Sequence, residues 1–227
     1  MDSGQRICIL VRQLIHEQLI EYILLILAWL LFGIFHSVLA ALWFKNMIMR
    51  ASGSLFKYYR LFYSLFSILC LGVVLVYQDS IQPVYLWVRS VWDSICAYVM
   101  VVPGLLIMAA SIQKYVTSVY GLKILVNRVD LPLLETRGLH SMVRHPLYLG
   151  TLMTIWALFL LFPTLANLIA CGTITFYTLI GIRFEERKLL IQFGSAYVDY
   201  KDRVPMLIPF TKGFQLARIR KNLGNPQ

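Results

Sequence analysis

The sequence predicts an all-α integral membrane protein with five transmembrane helices and a cytoplasmic C-terminal cap of short helices. Three observations carry that expectation. Of 227 residues, 59% are hydrophobic and only 14% are charged, against about a quarter in a typical soluble domain. The mean hydropathy is +0.70, more apolar surface than one soluble core of this size can hide. The apolar residues also gather in runs near the roughly 20 residues that a helix needs to cross hydrocarbon. That balance excludes a disordered chain, a collagen-like chain and an ordinary water-soluble enzyme.

The first run extends from Tyr22 to Phe44. Glu17 and Glu21 precede it and no small-residue cleavage site is convincing, so it reads as a retained helix rather than a signal peptide. The second runs from Tyr59 to Tyr77, its aromatic start (Tyr58, Tyr59, Phe62, Tyr63, Phe66) suited to an interfacial anchor. The third spans about Val91 to Ile112 with Pro103 as an expected kink. A mixed polar stretch, Gln113 to Arg144, leads to the fourth and fifth runs, Leu147–Phe162 and Leu165–Ile182. Only Pro163-Thr164 separates these two, which forces a tight helical hairpin. Arg183 to Phe193 keeps apolar residues at helical spacing, an amphipathic continuation of the fifth run. Gly194 fits its end, and Val204–Phe210 cannot stay helical through Pro205 and Pro209. That segment is expected against the membrane face or over a pocket.

The charges orient the chain. The formal net charge is +10, which in a soluble protein would suggest nucleic acid; beside these apolar runs it points to lipid headgroups. Lys45, Arg50, Lys57 and Arg60 follow the first run, Lys114, Lys123, Arg128, Arg137 and Arg144 follow the third, and the tail from Arg183 onward is basic. Arg6, Arg12 and Arg89 alone fall on the opposite side. Five spans with the N-terminus outside and the C-terminus cytoplasmic satisfy that asymmetry. Cys8, Cys70, Cys96 and Cys171 form no CxxC pair, so neither a zinc site nor a disulfide framework is indicated.

Chemistry is expected where charge meets the membrane boundary, because burying it there is costly. One cluster is Arg144-His145-Pro146-Leu147-Tyr148-Leu149-Gly150. Pro146 suits the first turn of a helix, which places Arg144 and His145 at its positive mouth, a ready anion site. Gly150 would let another helix or a ligand approach closely. The second cluster is Arg183-Phe184-Glu185-Glu186-Arg187. The hairpin brings both clusters to one level, where they could hold a zwitterion. Tyr197 and Tyr200 are expected to share one face of a short helix over that pocket.

Gly138 to Gly150, ending in RHPLYLG, and Glu185 to Pro209 resemble the C-terminal half of the isoprenylcysteine carboxyl methyltransferase and phospholipid methyltransferase families. The segments FHSVLAALWFK (Phe35–Lys45) and YYRLFYSLFS (Tyr58–Ser67) are more similar to the NnrU and methanethiol S-methyltransferase branches. The resemblance implies methyl transfer from S-adenosylmethionine within the membrane, to a lipophilic or small thiol or carboxylate acceptor. It implies no Rossmann domain, and no two of the 13 glycines have GxG spacing. It implies a three-span, substrate-side region over 1–112 and a cofactor-binding region over 113–227.

Carried over, Leu133, Leu134, His140, His145, Pro146, Leu147 and Tyr148 would line the cofactor pocket, with Glu185 or Glu186 on the donor's amino or ribose groups. Arg144, Arg183 and Glu185 would be catalytic, the arginines orienting an anionic or polarised acceptor and the glutamate or His140 deprotonating a thiol. Two positions differ from the prenyl-cysteine enzymes: His140 stands where they have Tyr, and Pro132 where they have His. The NnrU likeness carries an alternative, a haem-binding isomerase or redox protein with His36 and His145 as axial ligands. The acceptor's identity and the oligomeric state stay open at this level.

Overall fold

The computed structural model describes residues 3–120, 134–209 and 211. Most of the described residues are helical, and no strand is found among them. The α-helices are α1 (Ser3–Ala40), α2 (Leu42–Ser52), α3 (Tyr59–Ser80), α4 (Val91–Tyr120), α5 (Pro146–Leu161), α6 (Leu165–Phe193) and α7 (Ser195–Arg203). Two 3-10 turns, Gly53–Tyr58 and Gly138–Ser141, complete the regular structure.

Four helices contain segments long and apolar enough to cross a membrane: Ile15–Ala40, Leu61–Ser80, Val91–Gln113 and Leu165–Phe193. The protein is an integral, multi-pass membrane protein. The fifth apolar helix, α5, has 16 residues, about 24 Å of helix against a hydrocarbon core of about 30 Å. The expected first span also differs from its helix. α1 begins much earlier, at Ser3, and the chain breaks at Ala41, whose ψ of 140° is extended. Apolar composition hides that break because no proline or glycine marks it. Pro103 lies inside α4, which continues on both sides of it.

Local chemistry fixes several ends. Ser90 and Asp93 form a capping box at the start of α4, the Asp93 carboxylate accepting from the Ser90 amide at 2.7 Å and the Ser90 hydroxyl from the Asp93 amide at 3.2 Å. Thr164 caps α6 by accepting from the Asn167 amide at 3.2 Å. After Phe193 the chain turns at Gly194, whose φ of +54° lies in the left-handed region that glycine tolerates best.

The chain divides into two compact units. The first joins Met1–Val88 to Phe162–Tyr177. Its core is Tyr22, Leu25 and Trp29 from α1, Val74 from α3, Ile81, and Ala166 and Ala170 from α6. A polar relay crosses it: Trp29 Nε1 donates to Gln78 (3.0 Å), Gln78 to Asn167 (2.7 Å), and Asn167 to the Phe162 carbonyl (2.7 Å). Such side-chain bonds hold helices together where water is absent. The extended segment after α3 pairs with the turn before α6, Leu86 N–H donating to Pro163 and Leu165 N–H to Val84.

The second unit joins Arg89–Leu161 to Thr178–Gln227. Here α4 and α5 cross backbone to backbone. A Cβ placed on Gly150 would sit 2.7 Å from the Gly104 carbonyl oxygen, and one on Gly104 would sit 3.0 Å from that of Gly150. Glycine at the crossing is therefore a steric requirement, and the close approach expected at Gly150 is to α4.

Candidate active site

Pro146 opens α5, leaving Arg144 and His145 in the turn just before it. α6 continues past Ile182 to Phe193 and presents Glu185 and Glu186. Within the second unit these two ends meet. Arg144 donates from Nε and Nη2 to Glu186 Oε1, at 2.8 and 2.6 Å, and only 5% of its side chain is exposed. Its Nη1 donates to the carbonyls of Lys201 (3.1 Å) and Val204 (2.5 Å). Lys201 Nζ lies 3.3 Å from the other oxygen of Glu186. His145 stands between the acids, Nε2 3.4 Å from Glu186 and Nδ1 3.8 Å from Glu185.

The proline-punctuated tail segment binds this turn through its backbone. Arg144 N–H donates to the Pro205 carbonyl at 2.9 Å and His145 N–H to that of Met206 at 3.2 Å. α7 packs beside it, with Tyr197, Tyr200 and Val204 buried against Leu134, Leu189 and Phe193. The Tyr200 hydroxyl donates to the His140 carbonyl at 2.7 Å. The Tyr197 hydroxyl is buried with no hydrogen-bond partner among the described residues.

A hollow of about 70 Å³ lies at this junction, lined by Ser111, His140, the consecutive residues from Arg144 to Tyr148, and Glu185. The turn before α5 and the helix's first three residues contribute five of the eight lining residues, so the positive end of its dipole lies at the hollow. Burial is the main reason that the His145 pKa falls below its usual value, and Arg144 adds to the shift. Both acids pull the other way without prevailing, so the imidazole is neutral near pH 7 and able to accept a proton. Burial raises the phenols of Tyr197 and Tyr200 to about 12, which keeps them protonated.

Of the residues singled out from sequence, His140, Arg144, His145, Pro146, Leu147, Tyr148 and Glu185 line one hollow. Glu186 is spent beneath it on Arg144 and Lys201. Leu134 packs under α7, Arg183 is exposed and away from the lining, and Leu133 lies outside the described residues. Ser111 was not singled out; it is a lone hydroxyl between Ala110 and Ile112, buried and bonded to the Ile107 carbonyl. The clamp from Lys201 to Met206 was missed as well, because it acts through carbonyls that every residue carries. His36 belongs to the first unit, where its ring faces the Tyr63 hydroxyl at 3.1 Å and Ser67 at 3.4 Å.

The family model described as NnrU protein matches residues 24–214, most of the chain. The chain belongs to the NnrU protein family. Among relatives of this NnrU family chain, a methanethiol S-methyltransferase of Pseudomonas sp. (strain GM41(2012)) is 30% identical over 188 residues, 79% of this chain and 70% of the relative. Methanethiol S-methyltransferase 2 of Bradyrhizobium diazoefficiens is 44% identical over 75 residues, 33% of this chain and 28% of the relative. A protein-S-isoprenylcysteine O-methyltransferase of Rattus norvegicus is 37% identical over 95 residues, 39% and 31% of the two chains. Several of these matches thus span less than a third of the curated relative's length. No solved structure matches the chain.

Proposed function

We propose that this protein is an integral membrane methyltransferase that takes S-adenosylmethionine as donor and a lipophilic or small thiol or carboxylate molecule as acceptor. The observation that carries the reading is the Arg144–Glu186 pair, which ties the RHP turn to the twin glutamates around one hollow. The family and the methyltransferase names of its relatives support it.

The donor set fits the cofactor. At about 70 Å³ the hollow has room for a few water-sized groups, the scale of a carboxylate and an ammonium rather than a nucleoside. The opening turn of α5 would receive the carboxylate and Glu185, 40% exposed at its side chain, the ammonium. His140 and Tyr148 supply ring faces at the rim. When bound, S-adenosylmethionine supplies an activated sulfonium methyl group, so the chain's own task is positioning and exclusion of water. Neutral His145, or Glu185, would accept the proton of a thiol acceptor. Arg144, its guanidinium shared among Glu186, Lys201 and Val204, would hold the wall in place, leaving exposed Arg183 to face an anionic acceptor.

In this reading α5 is a fifth, short span, and the N-terminus lies outside with a cytoplasmic tail whose short helices cap the site. Residues 1–112 would select the acceptor and 113–227 hold the donor. The haem alternative is not favoured: the relatives are named methyltransferases, and both nitrogens of His36 already face Tyr63.

Titration calorimetry of purified protein with S-adenosylmethionine tests the proposal. Wild type should bind and Glu185→Gln should weaken binding at least tenfold. Absence of binding by folded wild type would overturn it. Labelled donor supplied with thiol or membrane-lipid extracts would then identify the acceptor.

A further inference from the structure

We propose that the exposed face of α2 binds the headgroup of an anionic phospholipid. The break at Ala41 turns the chain out of the first spanning helix, so α2 starts where the apolar run ends. Trp43, Met47 and Ala51 fall on one side of an arc of this helix, with Asn46 and Arg50 on its other side. These five residues line an open groove of about 540 Å³. Phe44 and Ile48, outside that arc, are only partly exposed. The groove therefore offers an apolar wall and a polar wall side by side, the division that an amphiphile at a membrane boundary requires.

Charge settles which amphiphile. Between Glu21 and Asp79 there is no acidic residue, whereas Lys45, Arg50, Lys57 and Arg60 lie in that interval. That interval supplies no carboxylate to Arg50, and Lys57 lies 4.9 Å over the Tyr58 ring in the turn that follows α2. Arg50 and Asn46 suit a phosphodiester with a free negative charge, and Trp43 and Met47 suit the glycerol and first methylenes of its chains. A guanidinium can donate two parallel bonds to phosphate oxygens. A zwitterionic headgroup would bring its own ammonium against this uninterrupted positive field. The inference does not depend on methyl transfer.

The test is native mass spectrometry of the full-length protein in detergent, titrated with phosphatidylglycerol or phosphatidylcholine. Phosphatidylglycerol should bind and phosphatidylcholine should not. Arg50→Gln should weaken binding about fivefold, the effect of one interfacial cation, and Arg50→Lys should restore most of it. If Arg50→Gln fails to fold, Asn46→Leu, which removes the other polar side chain of the groove, provides a second reading. Equal retention of both lipids would overturn the proposal, as would an unchanged affinity in the folded variants. Competition by sodium phosphate at concentrations comparable to the lipid would assign the groove to a free anion instead and overturn the lipid reading.

Discussion

Glu186 joins parts of the chain that are far apart in sequence, and its removal should show how much depends on it. Replacing it by Gln leaves Arg144, whose side chain is buried, without its anion. The expected cost is about 3 kcal/mol, read from thermal unfolding in detergent. Tyr197 and Tyr200 should respond in opposite ways. Tyr200→Phe loses a bond to the His140 carbonyl and should cost about 1 kcal/mol. Tyr197→Phe removes a buried hydroxyl that makes no hydrogen bond among the described residues, so stability should hold or rise. His145 predicts a pH dependence. Its folded pKa lies below the ordinary 6.5, so an unfolded chain takes up its proton first as pH falls. The contribution of this residue is complete above pH 6.5 and is lost progressively below it, down through the folded value. His145→Asn should flatten that part of the stability profile. The residues of this site were legible because Arg, His and Glu at a membrane boundary are costly to place. The carbonyls of Lys201, Val204, Pro205 and Met206 were not, since any sequence supplies them and only the path of the tail decides where they fall.

At the scale of elements, hydrophobic run length located the long helices, and Gly194 marked the end of α6 as expected. Run length could not distinguish a straight first span from one that bends at Ala41, because both sides of the bend are apolar. The fourth run, the shortest of the five, already matched the 16 residues of α5, but run length could not show that a glycine pair sets its crossing with α4. That pair is open to test. Gly150→Val drives a side chain into the Gly104 carbonyl and should cost about 2 kcal/mol. Gly72→Ala, with no atom within 4 Å of its new methyl, should be neutral or gain up to about 1 kcal/mol from helix propensity. Unfolding midpoints of the two variants measure the contrast.

For the molecule as a whole, the uneven distribution of Lys and Arg predicts sidedness. A membrane-impermeant maleimide applied outside sealed cells should label Ser3→Cys but not Ser195→Cys in a background without native cysteines; the reverse pattern would invert the topology. The two compact units add a consequence for biosynthesis. The first unit is not contiguous in the chain, for it needs Phe162–Tyr177 as well as the opening 88 residues. On a ribosome, Trp29 and Gln78 emerge long before Asn167, the partner that completes their relay. A nascent chain stalled before that point leaves an amide unsatisfied in lipid, a state suited to a holding insertase. Release should follow once α6 arrives.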